Sequence, residues 1–195
     1  MKTLLITGFD PFDGAQINPS WEAVSCLPEQ IGSFRIHKLV LPTLYRKAPR
    51  ILLEACDQLR PDVVISVGQA GGRDAVTPER IAVNIRAAKI VDNEGTLLDG
   101  ERIDPNGPAA YFSTLPVEAI RDAIRNAGIP SAVSNTAGTF VCNDVLYSVL
   151  HRYAGTHVLC GFIHVPYLPE QGSPSLPLEH IVHALVVTIQ ALDKA

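Results

Sequence analysis

Five short apolar runs, separated by stretches of helical periodicity, constrain this chain more than any other feature of its sequence. They are Thr3–Thr7, Ile36–Leu41, Val63–Val67, Ala132–Ser134 and His157–Val165. Several are apolar at consecutive rather than alternate positions, as expected of strands covered on both faces of a mainly parallel sheet. The intervening stretches carry helix signals. NPSWEAVSCL opens with Asn18 as a cap and Pro19 at the first helical position, and Trp21, Val24 and Leu27 share one stripe. In RKAPRILLEACDQLR the residues Ala48, Ile51, Leu52, Ala55 and Leu59 recur at helical spacing, with Pro49 tolerable only in the first turn. PVEAIRDAIRNAG and FVCNDVLYSVLHRYAG stop at Gly128 and Gly155, and PLEHIVHALVVTIQAL is the last such stretch. Strand alternating with helix predicts an α/β fold, a three-layer α/β/α sandwich on a mainly parallel, twisted sheet.

Residues 69–110 break the alternation. Gly71, Gly72, Gly95, Gly100, Gly107 and three prolines interrupt short segments such as IAVNIRAAKI, which read as strand pieces and hairpin loops on one edge of the sheet. No repeat, low-complexity tract or linker divides the chain, and 195 residues suit one domain, so 1–195 is expected to be a single domain. A net charge of -4 with no Lys or Arg run gives no footprint for nucleic acid or anionic lipid. The apolar start MKTLLITGF is too brief for a signal core or a membrane span, which points to the cytosol. Cys26, Cys56, Cys142 and Cys160 are widely spaced without a CxxC, the pattern of free thiols in a reducing compartment.

Cys142 holds the position chemistry would choose. On a helix opening near Thr139, unpaired N–H groups and the positive end of the dipole favour a thiolate and could hold an oxyanion. The preceding TAG lets a substrate approach the backbone. The competing reading is that Cys142 is a small buried apolar residue in line with Leu146, Val149 and Tyr153. A thiol nucleophile needs a base, and among six histidines His164 is the polar break in the strand VLCGFIHV, at the end where parallel sheets gather ligands. A carboxylate to orient it is available at Asp10, Asp13, Glu79, Asp144 or Glu170, and spacing does not choose among them. The loops GFDPFDG and VGQAGG belong to the same sheet edge but match neither GxGxxG nor GxxxxGK[ST]. Phe9 and Phe12 either plug that edge or form an aromatic slot for a flat ligand.

Taken together, GFDPF, NPSWEA, VGQAGGR, TPERIAVN, DNEG, GPAAYF, SNTAGTFVCN and GFIHVPYLPEQ follow in the order and spacing of the pyroglutamyl peptidase I family, the pyrrolidone-carboxylate peptidases, which the chain resembles over nearly its whole length. The resemblance implies a cysteine peptidase that removes N-terminal pyroglutamyl residues from peptides, on an α/β/α sandwich related to purine nucleoside phosphorylases, without metal or cofactor, as a homotetramer or homodimer. It assigns the nucleophile to Cys142, the base to His164 and the orienting carboxylate to Glu79. It places Phe9, Phe12, Ile90 and Val141 around the substrate, with Thr43 and Gln69 nearby, and the oxyanion at the Cys142 N–H. The family's usual arginine ahead of DNEG, which the resemblance implies helps the oxyanion, is Lys89 here, a point charge without a rigid fork, with Arg86 as the cation that would compensate. Two alternatives remain on the same scaffold: a nucleoside phosphorylase-like transferase, which needs no Cys142, and a non-catalytic small-ligand binding protein.

Overall fold

The computed structural model describes residues 1–193. In chain order its elements are β1 (Lys2–Phe9), α1 (Pro19–Ser25), β2 (Gln30–Ile31), β3 (Phe34–Leu41), α2 (Lys47–Leu59), β4 (Val63–Gln69), β5 (Thr77–Pro78), β6 (Ile81–Val83), β7 (Arg86–Ala87), β8 (Asp99–Glu101), β9 (Ala110–Phe112), α3 (Val117–Asn126), α4 (Val141–Arg152), β10 (Leu159–Val165) and α5 (Leu178–Leu192). Six strands form the central sheet in the order β2-β3-β1-β4-β10-β5. The inner four are parallel to one another, and β2 and β5 close the edges antiparallel.

Successive side chains on a strand point to opposite faces, so a run that is apolar throughout supplies two cores at once. Leu4, Ile6, Val63, Ile65, Val67, Ile163 and Val165 pack against α1, α3 and α5. Leu5, Phe9, Val64, Cys160 and Phe162 pack against α2 and α4. The three-layer sandwich follows directly. Local signals set the helix starts: Asn18 Oδ1 accepts the Ser20 N–H at 3.1 Å, and Pro19 takes the first position of α1. Pro49 falls in the first turn of α2, where its missing donor costs nothing. Among the described residues no helix is long and apolar enough to cross a membrane.

Two expectations need correction. The run Ala132–Ser134 is not a strand of the sheet: Ser131 and Ser134 make isolated parallel bridges to Val76 and Glu79. The backbone bonds Ala132 N to Val76 O (3.3 Å) and Ser134 N to Pro78 O (2.9 Å) would belong to one ladder. Pro78 has no N–H to give back to Ala132, so that ladder is cut in two. In the glycine-rich stretch, β6 with β9 and β7 with β8 form separate two-stranded ribbons instead of extending the sheet edge. They are held against α4 by its buried Asn143, which accepts from Val83 N at 2.9 Å and donates to Val83 O and Ile85 O at 2.8 and 3.0 Å.

A second anchor is ionic. Arg86 on β7 pairs with Glu101 at 2.8 Å and with the fully buried Asp144 of α4 at 2.9 Å. Breaking a buried pair strands the remaining charge, so Arg86→Ala is expected to cost about 3–5 kcal/mol. Equilibrium urea unfolding against wild type measures this, and a change of a few tenths would show that Asp144 is neutralised another way.

Candidate active site

The carboxyl ends of β1, β4 and β10 lie side by side, with Gly68 paired in register with His164. A Cβ on Gly68 would stand 2.7 Å from the Phe162 ring and 3.0 Å from Cys142 Sγ. Glycine there lets the sulfur of α4 approach the strand. Cys142 is the second residue of α4, which opens at Val141, two residues later than its sequence suggests. The amides of that first turn have no intrahelical acceptor. The loop leading into it is folded on itself: the Thr136 N–H donates to Ser134 Oγ at 3.3 Å and the Gly138 N–H to Thr136 Oγ1 at 3.1 Å.

Glu79 follows β5 and is wholly buried. Its Oε1 accepts from His164 Nδ1 at 2.7 Å and from Arg73 Nη1 at 2.8 Å. Its Oε2 is buried and takes neither of those two donors. The other four carboxylates have different work or none here. Asp10 Oδ1 accepts the Thr43 N–H at 2.7 Å, Asp144 is held by Arg86, and Asp13 and Glu170 are exposed.

Cys142, His164 and Arg73 line one cavity of about 340 Å³ with Phe9, Phe12, Asn18, Thr43, Gln69 and Phe140. Phe12 and Phe140 rings lie 6.1 Å apart, and Tyr45 meets Phe140 edge-on at 5.3 Å. Those rings give the cavity an apolar slot, while Gln69, Asn18 and the loop 136–138 give it polar edges. Phe9, Phe12, Thr43 and Gln69 thus line the cavity that also holds Cys142 and His164. Val141 does not line this space: it is fully buried in the core beneath. Ile90 and Lys89 are exposed and outside the lining, because the chain turns outward after Ala88. Arg86, the expected compensating cation, is committed to Asp144 and Glu101. DNEG is a brace: Asp92 accepts from the amides of Tyr45, Glu94 and Thr96, and Asn93 donates to Asp10 and Pro11. The residues that sequence reasoning missed are Phe140 and Arg73. Their only signals are that one precedes the Val141–Cys142 pair and the other ends VGQAGGR.

Protonation departs from expectation. Burial, and then the negative Glu79, push the Cys142 thiol up to about 12, against the lowering by Arg73. Burial and Arg73 also hold the His164 imidazole below its ordinary value, although Glu79 favours its charged form. Burial opposes the Glu79 carboxylate, yet the bond and charge of His164, then the Ser134 hydroxyl and then the bond from Arg73, keep it below the usual carboxylate range. Burial thus favours the thiol and the neutral imidazole while His164, Ser134 and Arg73 favour the ionised glutamate, whereas the helix terminus alone favours a thiolate. A base oriented by a carboxylate, a thiol within the same cavity and free helical amides beside it are the parts needed for acyl transfer. Cys26 is exposed, and Cys56 and Cys160 are buried and free. Among the described residues no three His, Cys, Asp or Glu side chains gather as metal ligands.

A family model described as pyroglutamyl peptidase matches residues 1–195. A pyrrolidone-carboxylate peptidase of Escherichia fergusonii is 50% identical over 196 residues, covering 97% of this chain and 92% of that one. One of Levilactobacillus brevis is 50% identical, covering 97% and 96%. The crystal structure of pyroglutamyl peptidase I from Bacillus amyloliquefaciens superposes with a TM-score of 0.93 at 47% identity, covering 96% and 95%.

Proposed function

The chain belongs to the pyroglutamyl peptidase family, and from that premise we propose that Cys142, His164 and Glu79 carry out its chemistry. The enzyme is a cysteine-type peptidase acting on peptides with an N-terminal pyroglutamyl residue, which sets aside the transferase and binding-protein alternatives. The observation that carries the triad is the buried 2.7 Å contact of Glu79 with His164 Nδ1, on the wall of the cavity that also holds Cys142.

Glu79 fixes the tautomer that leaves His164 Nε2 free to accept a proton. As sulfur attacks the carbonyl carbon following the lactam ring, the thiol proton passes to Nε2, and the Cys142 N–H receives the oxygen's developing charge. Collapse breaks the C–N bond, and the imidazolium protonates the leaving amine. A water molecule, deprotonated by His164, then cleaves the thioester and restores the thiol. Each oxyanion donor of this kind contributes about 2.7–4 kcal/mol. A pyroglutamyl group carries no ammonium, so a cavity with an apolar wall of Phe9, Phe12 and Phe140 and polar edges suits it. A prolyl group would leave buried polar partners unsatisfied, a rejection of about 10⁴–10⁵-fold.

Amine release from a pyroglutamyl anilide tests this reading: alkylation of the thiol should stop it and a chelator should not. The His164 base survives until pH falls through its lowered value, and Glu79 stays ionised there. The acid limb of kcat/KM is therefore expected below the ordinary imidazole value of 6.5. A limb above that value would count against a buried neutral base. The reading takes 1–195 as one catalytic unit in a cytosolic homodimer or homotetramer that engages neither nucleic acid nor membrane. Light scattering checks the assembly.

A further inference from the structure

The steps above leave one charged group of the cavity wall without a task. We propose that Arg73 is the positioning residue of this site, its guanidinium fixing at once the carboxylate that orients His164 and the loop that delivers Cys142. The inference rests on the triad reading and adds to it.

Arg73 follows the Gly71–Gly72 turn after β4. Its Nη1 donates to Glu79 Oε1 at 2.8 Å and to Thr77 Oγ1 at 2.5 Å, and its Nη2 donates to the Thr136 carbonyl at 3.2 Å. The β4 loop and the β5 segment ending at Glu79, four to six positions further on, are tied to the loop 135–140 ahead of α4, which Arg73 reaches across 63 positions at Thr136. A structural Arg–carboxylate pair would usually be bidentate. Here Arg73 takes only Oε1, while the other edge of the fork reaches Thr136. The donors are divided between the orienting carboxylate and the thiol's loop, a division that a planar fork holds at the fixed spacing of two nitrogens and a lysine's single nitrogen does not. Arg73 is also the cation that faces the reacting pair. Glu79, Tyr45 and Arg73 surround Cys142, and Glu79 and Arg73 act on His164, whereas Lys89 is exposed and outside the lining.

The sign of each effect follows. Arg73 lowers the thiol and keeps the imidazole neutral, so its loss raises both. Arg73→Met is expected to reduce kcat by about 10²-fold, the scale of a small misplacement of reacting groups. Its acid limb of kcat/KM should move to higher pH, and iodoacetamide should modify Cys142 more slowly at a fixed pH, with Cys142→Ala protein giving the background from Cys26. Arg73→Lys should return the limb toward wild type without restoring kcat, since it keeps charge and loses the fork. Arg152→Ala removes an exposed pair with Asp57 and serves as a surface control. The proposal is overturned if Arg73→Met keeps the wild-type limb and alkylation rate, with any activity loss explained by a smaller folded fraction in circular dichroism. Activity retained by Cys142→Ala would instead sink the triad itself, so the two failures are distinguishable.

Discussion

Cys142→Ala is expected to lower turnover of a pyroglutamyl anilide by about 10⁵–10⁶-fold, the scale on which loss of a nucleophile leaves only binding and oxyanion contributions. The fold should not follow. The side chain loses one atom at a cavity wall, and its neighbours Val141, Val145 and Leu146 keep α4 seated in the core. Thermal unfolding should therefore move by no more than a few degrees, which separates lost chemistry from lost protein. Cys142→Ser should be almost as inactive despite its similar shape, because the raised thiol value shows how little this environment favours a charged nucleophile, and a hydroxyl ionises less readily still. Appreciable turnover in either variant, after contaminating peptidase is excluded by active-site alkylation, would remove the thiol mechanism.

Glu79→Gln carries the second large effect. An amide of the same shape can present an N–H to His164 Nδ1, which forces the tautomer with its proton on the wrong nitrogen. In serine triads the corresponding change costs about 10⁴ in kcat, and a fall of about 10³–10⁴ is expected here with KM little altered. The same substitution has a signature in stability. Glu79 is held below its ordinary value in the folded protein, so its ionisation stabilises the fold at neutral pH, and that contribution is lost as pH falls through the lowered value. Wild type should exceed Glu79→Gln in unfolding free energy near neutrality, and the gap should close on acidification. Urea titrations at the two extremes read it directly. A gap that persists in acid would mean that the carboxylate matters through packing and not through charge.

Much of this was legible from residue order alone. Consecutive apolar positions in β1 and β4 require cover on both faces, and Asn18 with Pro19 specifies a helix start without reference to anything distant. His164 stood out because a polar residue at the end of an apolar strand needs a reason. The strand expected at Ala132–Ser134 failed for a local cause, the missing donor of Pro78, which becomes visible only once its partner is known. The choice among five carboxylates was different in kind. Glu79 meets His164 across 85 positions, and nothing in TPER distinguishes an orienting carboxylate from a first-turn residue. Lys89 entered only through the resemblance, as the residue standing where the family has an arginine ahead of DNEG; it is exposed outside the cavity lining, and the cation of that lining is Arg73 from the β4 loop.

By itself, then, the order of residues determined the alternating layers and the capped start of α1, because period and capping act over a few positions, and it singled out Cys142 and His164 without deciding between a structural and a chemical role for either. The protonation of that thiol, the partner of that imidazole and the identity of the nearby cation were decided only by the tertiary structure. Each depends on burial and on distances between segments far apart in the chain, and these come into being when the loops after β4, β5 and Ser134 close around one cavity.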